Sequence, residues 1–263
     1  MQFFSIIKAI LLRYFYVWRS DYNTMLCSLY WPLLDILLWG FLGSWIQSSN
    51  SNFANYQFIA LLSILLWQVV GRGSNIMINA FNEELWSNNI VNLFSLPLKI
   101  IHYIGALIFH YLIMVLFTNI FCISAITLFF NISFLLMLKS FILFFIPFLF
   151  CGLALGFLAL SIIVLLGKRA SEAAYILTWF LLPFSGAYYP IDILPSWGVA
   201  FSKYFPMSYL FATVREYFVN NVFLKSQFLY GSIMALFYLV AAIVIFIYCF
   251  DQSKKKGLAR LTE

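Results

Sequence analysis

Long apolar runs separated by short polar islands organise this chain. The runs lie at about Trp31–Gln47, Tyr56–Ala80, Ile100–Leu128, Phe134–Leu166, Ala173–Tyr189 and Phe228–Phe250. A helix needs about 20 predominantly apolar residues to cross a bilayer, so the pattern predicts six transmembrane helices. The runs do not alternate in the ten-residue manner of a membrane barrel. Pro32 falls where the first turn of the first span is expected, a position that tolerates proline. Phe134–Leu166 exceeds a single crossing, which predicts tilt, a kink at Pro147 or an interfacial end. Ahead of the first span, Phe3, Phe4, Ile7, Leu11, Tyr14, Phe15 and Trp18 mark one helical face, with Lys8, Arg13 and Arg19 beside them. That reads as an amphipathic helix lying on the membrane rather than a signal peptide, since no small-residue cleavage site follows.

One polar island has its own period. In Phe81–Pro97, the residues Trp86, Ile90, Leu93, Phe94 and Pro97 recur at helical spacing, and Asn82, Asn88, Asn89 and Asn92 fill the remainder. A short amphipathic helix at a membrane boundary predicts a docking surface. Glu83 and Glu84 open it, where acidic residues suit the helix dipole. Adjacent carboxylates point in different directions on a helix, so they do not form a two-carboxylate site.

The stretch Pro190–Gln227 is apolar yet broken by Pro190, Pro195 and Pro206. Neither half is long enough to cross twice. Broken helices persist at membrane depth where protein covers them, so the stretch predicts a re-entrant helical hairpin in the outer leaflet. Trp197 and Tyr209 belong to its aromatic crowd, and Arg215 and Glu216 stand near its end.

Composition agrees with the runs. The chain is 64% hydrophobic and 9% charged, and its mean hydropathy is +0.97. Soluble domains carry about 25% charged residues. The 263 residues read as one domain: an interfacial helix over 1–30, a six-span bundle over 31–250 and a basic tail over 251–263. Lys8, Arg13, Arg19, Lys99, Lys168, Arg169, Lys254, Lys255, Lys256 and Arg260 fall on one side of the spans; Lys139, Lys203, Arg215 and Lys225 fall on the other. The richer side is read as cytosolic, which puts both termini and the Phe81–Pro97 island inside. The multi-pass chain is then expected in the cytoplasmic (inner) membrane.

Candidate chemistry is sparse. Cys27, Cys122, Cys151 and Cys249 sit far apart and read as small buried hydrophobes. His102 and His110 lack zinc-binding spacing and read as packed or interfacial. No phosphate loop or nucleophile elbow occurs, and nothing indicates nucleic acid as a partner. Asp35 and Arg72 are charges inside spans, expected at similar depth, roughly 6–12 Å from the inner boundary. Two readings stand: an intramembrane ion pair, or an Arg72 that snorkels to the headgroups. Gly152 and Gly156 form a GxxxG, which reads as close helix packing before a dimer face.

These pieces, in this order, resemble the permease subunit of type-2 ABC exporters, the class of drug, nodulation-factor and polysaccharide exporters. The resemblance covers the chain and rests on the N-terminal helix, six spans, the island ending Leu96-Pro97, and two further runs. One is Ser-Gly-x-x-x-Pro-x-x-x-x-Pro at Ser185–Pro195; the other is Phe-Pro-Met-Ser-Tyr followed by Arg at Phe205–Arg215. The resemblance implies a homodimer with two ATPase subunits, and no cofactor in this chain; ATP and Mg belong to the partner. It implies a coupling helix at Glu83–Pro97, with Lys168, Arg169 and Glu172 as secondary contacts. It also implies alternating access that exports a hydrophobic or lipid-linked substrate, with no catalytic site in this chain. A glycan exporter of the O-antigen kind stays open, as do an assembly subunit without transport and an integral membrane enzyme.

Overall fold

The computed structural model describes residues 2–49, 55–96, 98–258 and 261. Pro97, Arg260, the side chain of Phe3 and most of the Ser48–Asn55 loop lie outside them. Among the described residues there is no strand. Ten α-helices follow in order: α1 (Gln2–Ser20), α2 (Tyr22–Ser49), α3 (Tyr56–Trp86), α4 (Ile90–Ser95), α5 (Ile100–Phe130), α6 (Phe134–Leu166), α7 (Ser171–Phe180), α8 (Ser196–Ser202), α9 (Pro206–Asn220) and α10 (Lys225–Lys255). Five of them, α2, α3, α5, α6 and α10, are long and apolar enough to cross a membrane.

The expected fifth span differs from the rest. Its helix stops after ten residues at Phe180, and a 3-10 turn over Leu182–Phe184 follows. Pro183 cannot donate a backbone hydrogen bond, and Gly186 takes a positive φ of 76° that ends any helical continuation. Hydropathy averages over such breaks and so reads one apolar run.

Two boundaries also shift. The first long helix begins at Tyr22 rather than near Trp31, and Pro32 lies inside it. The separate N-terminal helix therefore ends at Ser20 instead of reaching residue 30. Asp21 makes the corner: its carboxylate accepts from the Asn23 amide at 3.1 Å and from the Thr24 hydroxyl. The Thr24 hydroxyl holds that carboxyl below its ordinary range. The second long helix continues from Ala80 to Trp86, because Asn82, Glu84 and Leu85 are buried and pack rather than turn.

Helix α3 is the centre of the bundle and packs on α2, α5, α6 and α7. Close approach on α6 depends on small residues. A Cβ at Gly152 would stand 2.1 Å from the Tyr111 hydroxyl and 2.8 Å from the Val69 carbonyl; one at Gly156 would stand 2.4 Å from Met77 Sδ. The GxxxG thus packs α6 within the chain against α3 and α5. Helix α1 lies on α5 and α2, burying Ile7, Ile10 and Tyr14, with Tyr14 against His110 and Trp18 against Phe117. Phe4 and Phe15, from the same sequence stripe, remain exposed.

Helices α8 and α9 form a helix–turn–helix through Lys203–Phe205, capped by Pro206 in the first turn of α9. Phe201 meets Phe184 and Phe205 edge to face around it, and Trp197 lies tilted against Phe184. Arg215 of α9 donates to the Gly186 carbonyl at 2.9 Å and ties this unit to the broken stretch after α7. Glu216 accepts from Asn220 at 2.7 Å, and Tyr209 meets Tyr230 of α10 edge to face. Pro190 and Pro195 bracket the short 3-10 turn that joins the two.

Candidate functional site: a polar seam on α3

Helix α3 is mostly buried, yet one of its faces is polar. Gln68, Arg72, Asn75, Asn79, Asn82 and Glu83 recur at three- and four-residue intervals, which aligns them along about 100° of the helix surface. The spacing was present in the sequence, but the apolar residues between them dominate any hydropathy window.

The seam begins at an ion pair. Arg72 Nη2 lies 2.6 Å from Asp35 Oδ2 of α2. The pairing reading of these two charges therefore holds in the structure, and the snorkelling reading does not. Asp35 is midway along Tyr22–Ser49 and Arg72 midway along Tyr56–Trp86, about 20 Å from the α3 end at 1.5 Å per residue. Both helices are longer than the apolar runs alone indicated. One turn from the pair, Gln68 donates to the Pro32 carbonyl at 3.3 Å and accepts from Cys122 at 3.4 Å. The carbonyl that Pro32 leaves without its helical partner is that of Ser28, four residues back, so the Gln68 bond is an additional tie between α2 and α3. Trp39, one turn after Asp35, stacks on Tyr188 at 4.3 Å.

Two neighbouring cavities follow the seam. One of about 250 Å³ lies between α2, α3 and α5 and is lined by Gln68, Arg72, Asn75, Thr118 and Asn119. A second, of about 410 Å³, reaches Glu83 and Trp86 at the end of α3 and is walled by α1 and α5. They share Thr24, Ser28, Ile76, Asn79 and Met114. A polar groove thus runs from the end of α3 to its middle.

Polar ties fasten the opposite side of the seam to α7. Ser171 donates to Asn82 Oδ1 at 2.9 Å, Asn82 donates to the Tyr175 hydroxyl at 3.3 Å, and that hydroxyl donates to Asn79 Oδ1. Further along, the Ser74 and Thr178 hydroxyls are 3.0 Å apart. Helix α7 therefore runs antiparallel beside α3. Gly167, with φ of 83°, makes the turn that delivers it, and Lys168, Arg169 and Glu172 stand exposed on that turn.

The surface expected for docking is rearranged. Trp86 ends α3, Asn88 at φ 54° breaks the chain direction, and α4 is a separate six-residue helix. The stripe read from the sequence turns inward. Ile90 is fully buried, Leu93 packs on the core, and Phe94 stacks on Tyr103 and Phe250 at 5.5 and 4.6 Å. An amphipathic period identifies an apolar face but not whether a partner or the chain itself covers it. Glu84 is also corrected: it is fully buried, 3.0 Å from Arg13 of α1 and 2.8 Å from Asn89. The large apolar residues left outside are Trp86, Val91 and Leu96, with Trp86 62% exposed. Glu83 lines the second cavity beside it. Pro97 lies outside the described residues.

Among the described residues no cluster of His, Cys, Asp or Glu could hold a metal ion. Cys122, Cys151 and Cys249 are buried and Cys27 is exposed. His102 shares a helix-capping arrangement with Lys99, and His110 packs on Tyr14. Neither a family model nor a curated protein sequence matches the chain.

Proposed function

We propose that this chain is the membrane permease of an exporter driven by a separate ABC-type ATPase, working as a dimer in the cytoplasmic membrane. The observation that carries the reading is the polar groove along α3, from exposed Trp86 to the Asp35–Arg72 pair at mid-helix. Intramembrane charges are costly and are kept where they line a pathway or move between states. The N-terminal helix, α4 and the Gly167–Glu172 turn all meet the same end of α3, through Arg13–Glu84, Asn89–Glu84 and Ser171–Asn82. A partner that moves one of these elements moves all three.

On this reading the ATPase docks on Trp86, Val91, Leu96 and the basic turn at Lys168 and Arg169. The termini lie in the cytosol, α7 with the turns after it makes a sixth, broken crossing, and α8–α9 dip into the outer leaflet. A hydrophobic or lipid-linked substrate leaves past that unit; a lipid-borne glycan is the variant that the polar groove favours.

Reconstitution with an ABC-type ATPase from the same organism tests the proposal. Substrate-stimulated ATP hydrolysis that depends on the chain is the expected result. Stable docking without flux would instead establish an assembly subunit, and turnover without nucleotide would establish an enzyme.

A further inference from the structure

We propose that the cavity between α1, α3 and α5 binds a substituted ammonium ion. Its volume of about 410 Å³ falls among small-molecule sites. Asp21 and Glu83 line it, and no lysine or arginine does. Asp21 is exposed, and its carboxylate serves the first turn of α2. Glu83 is half-buried, and its carboxylate makes no hydrogen bond or ion pair among the described residues. Arg13 is committed to Glu84 and is absent from the walls. The cavity also lies against the last turns of α1 and α3, through Val17, Trp18, Glu83 and Trp86. Those are the negative ends of two helix dipoles, and they favour a cation as the carboxylates do.

The walls decide which cation. Half-buried Trp18 and exposed Trp86 both line the cavity and both keep accessible surface. The Trp18 indole N–H donates to the Ser28 hydroxyl at 3.4 Å, and its ring meets Phe117 edge to face at 5.8 Å. That ring is held in place with its polar group already used, so what it offers a ligand is its π-system, which attracts cations. Val17, Ile76 and Met114 add apolar wall. A calcium-like ion needs about six to eight oxygen ligands, and among the described residues no three His, Cys, Asp or Glu side chains gather to supply them. An anion meets two like charges. A neutral polyol leaves Glu83 unbalanced. An ammonium that carries alkyl groups answers both features: its charge suits the carboxylates, and its carbon coat suits the indoles and the aliphatic wall. The group can belong to a soluble amine or to a lipid headgroup such as choline. Its binding needs neither ATPase nor transport, so it stands or falls apart from the proposed function.

Radiolabelled choline, dialysed against the full chain in phosphatidylglycerol nanodiscs, tests the site, with empty nanodiscs as the baseline. Saturable binding is expected. Dimethylbutanol, the uncharged isostere with carbon in place of the choline nitrogen, is expected not to displace it. Glu83→Gln and Trp18→Leu are each expected to weaken choline binding about tenfold, the scale of one sheltered cation–π contact. Trp86→Leu, at an exposed position, repeats the ring test should Trp18→Leu fail to fold. No saturable binding, displacement by the uncharged alcohol, or undiminished binding in Glu83→Gln or in both ring variants would each overturn the proposal. Nanodiscs that contain phosphatidylcholine then identify the source. Loss of the choline site there assigns it to a lipid headgroup, and an unchanged site assigns it to a soluble amine.

Discussion

Arg13 of α1 lies 3.0 Å from Glu84 near the end of α3, and the two ends of that pair are unequally sheltered. The arginine side chain is 34% exposed and the glutamate side chain 1%. Removing the arginine strands a buried carboxylate, whereas removing the glutamate leaves a guanidinium that water can reach. Arg13→Ala is therefore expected to destabilise by about 3 kcal/mol, and Glu84→Gln by about 1 kcal/mol. Thermal unfolding in nanodiscs measures both. Equal losses, or the opposite order, would mean that Glu84 is not held as the ion described.

The Asp35–Arg72 pair predicts rescue by exchange. Asp35→Ala leaves the guanidinium unpaired at mid-helix and is expected to cost about 3 kcal/mol or more. Arg72→Ala strands the carboxylate in the same way. Exchanging the two, Asp35→Arg with Arg72→Asp, should recover most of the monodisperse protein seen by size-exclusion chromatography. An exchange as damaging as either single change would exclude a pairwise role.

Gly152 and Tyr111 should be coupled. The Tyr111 hydroxyl donates to the Val69 carbonyl at 2.6 Å and occupies the space a Cβ at Gly152 would need. Gly152→Ala should cost about 1–3 kcal/mol through overpacking, and less in a Tyr111→Phe background, where the obstructing oxygen is gone. Additive losses in the double-mutant cycle would show that the two residues act independently.

Docking and folding separate at the end of α3. On the proposed function, Trp86→Glu and Leu96→Glu alter exposed residues and are expected to release the proposed ATPase partner while the chain stays folded. Phe94→Glu puts a carboxylate between Tyr103 and Phe250, so it is expected to reduce folded yield instead. Co-purification alongside size-exclusion profiles distinguishes these results; a well-folded Phe94→Glu that loses the ATPase would return the partner surface to the inward stripe.

Hydropathy located the long helices well where apolar residues are continuous, as at Ile100–Phe130 and Phe134–Leu166. At Ala173–Tyr189 it could not show that the helix stops at Phe180, because Leu, Phe and Tyr score alike in a helix or in a 3-10 turn around Pro183. It cut α3 short at Ala80, since Asn82 and Glu84 look solvent-bound until Ser171 and Arg13 are placed beside them. The intramembrane charges were visible as rare events, and their partnership required the neighbouring helix. The Trp86–Phe94 stripe shows the converse: periodicity was legible, but a break at Asn88 reassigned which side it served. The α3 seam stayed hidden for a simpler reason. Six polar residues spread over four turns never outweigh the aliphatic ones beside them.

Helices α2 and α6 each carry an internal proline, and α3 carries none along its 31 residues. It is a continuous helix at the centre of the bundle, a shaft without a proline joint. A shaft without a joint does not absorb a displacement; it transmits one. On the proposed function, a shift delivered at Trp86 is carried by this one helix past Arg72 towards Tyr56, while α2 and α6, the proline-bearing helices packed on it, supply the joints.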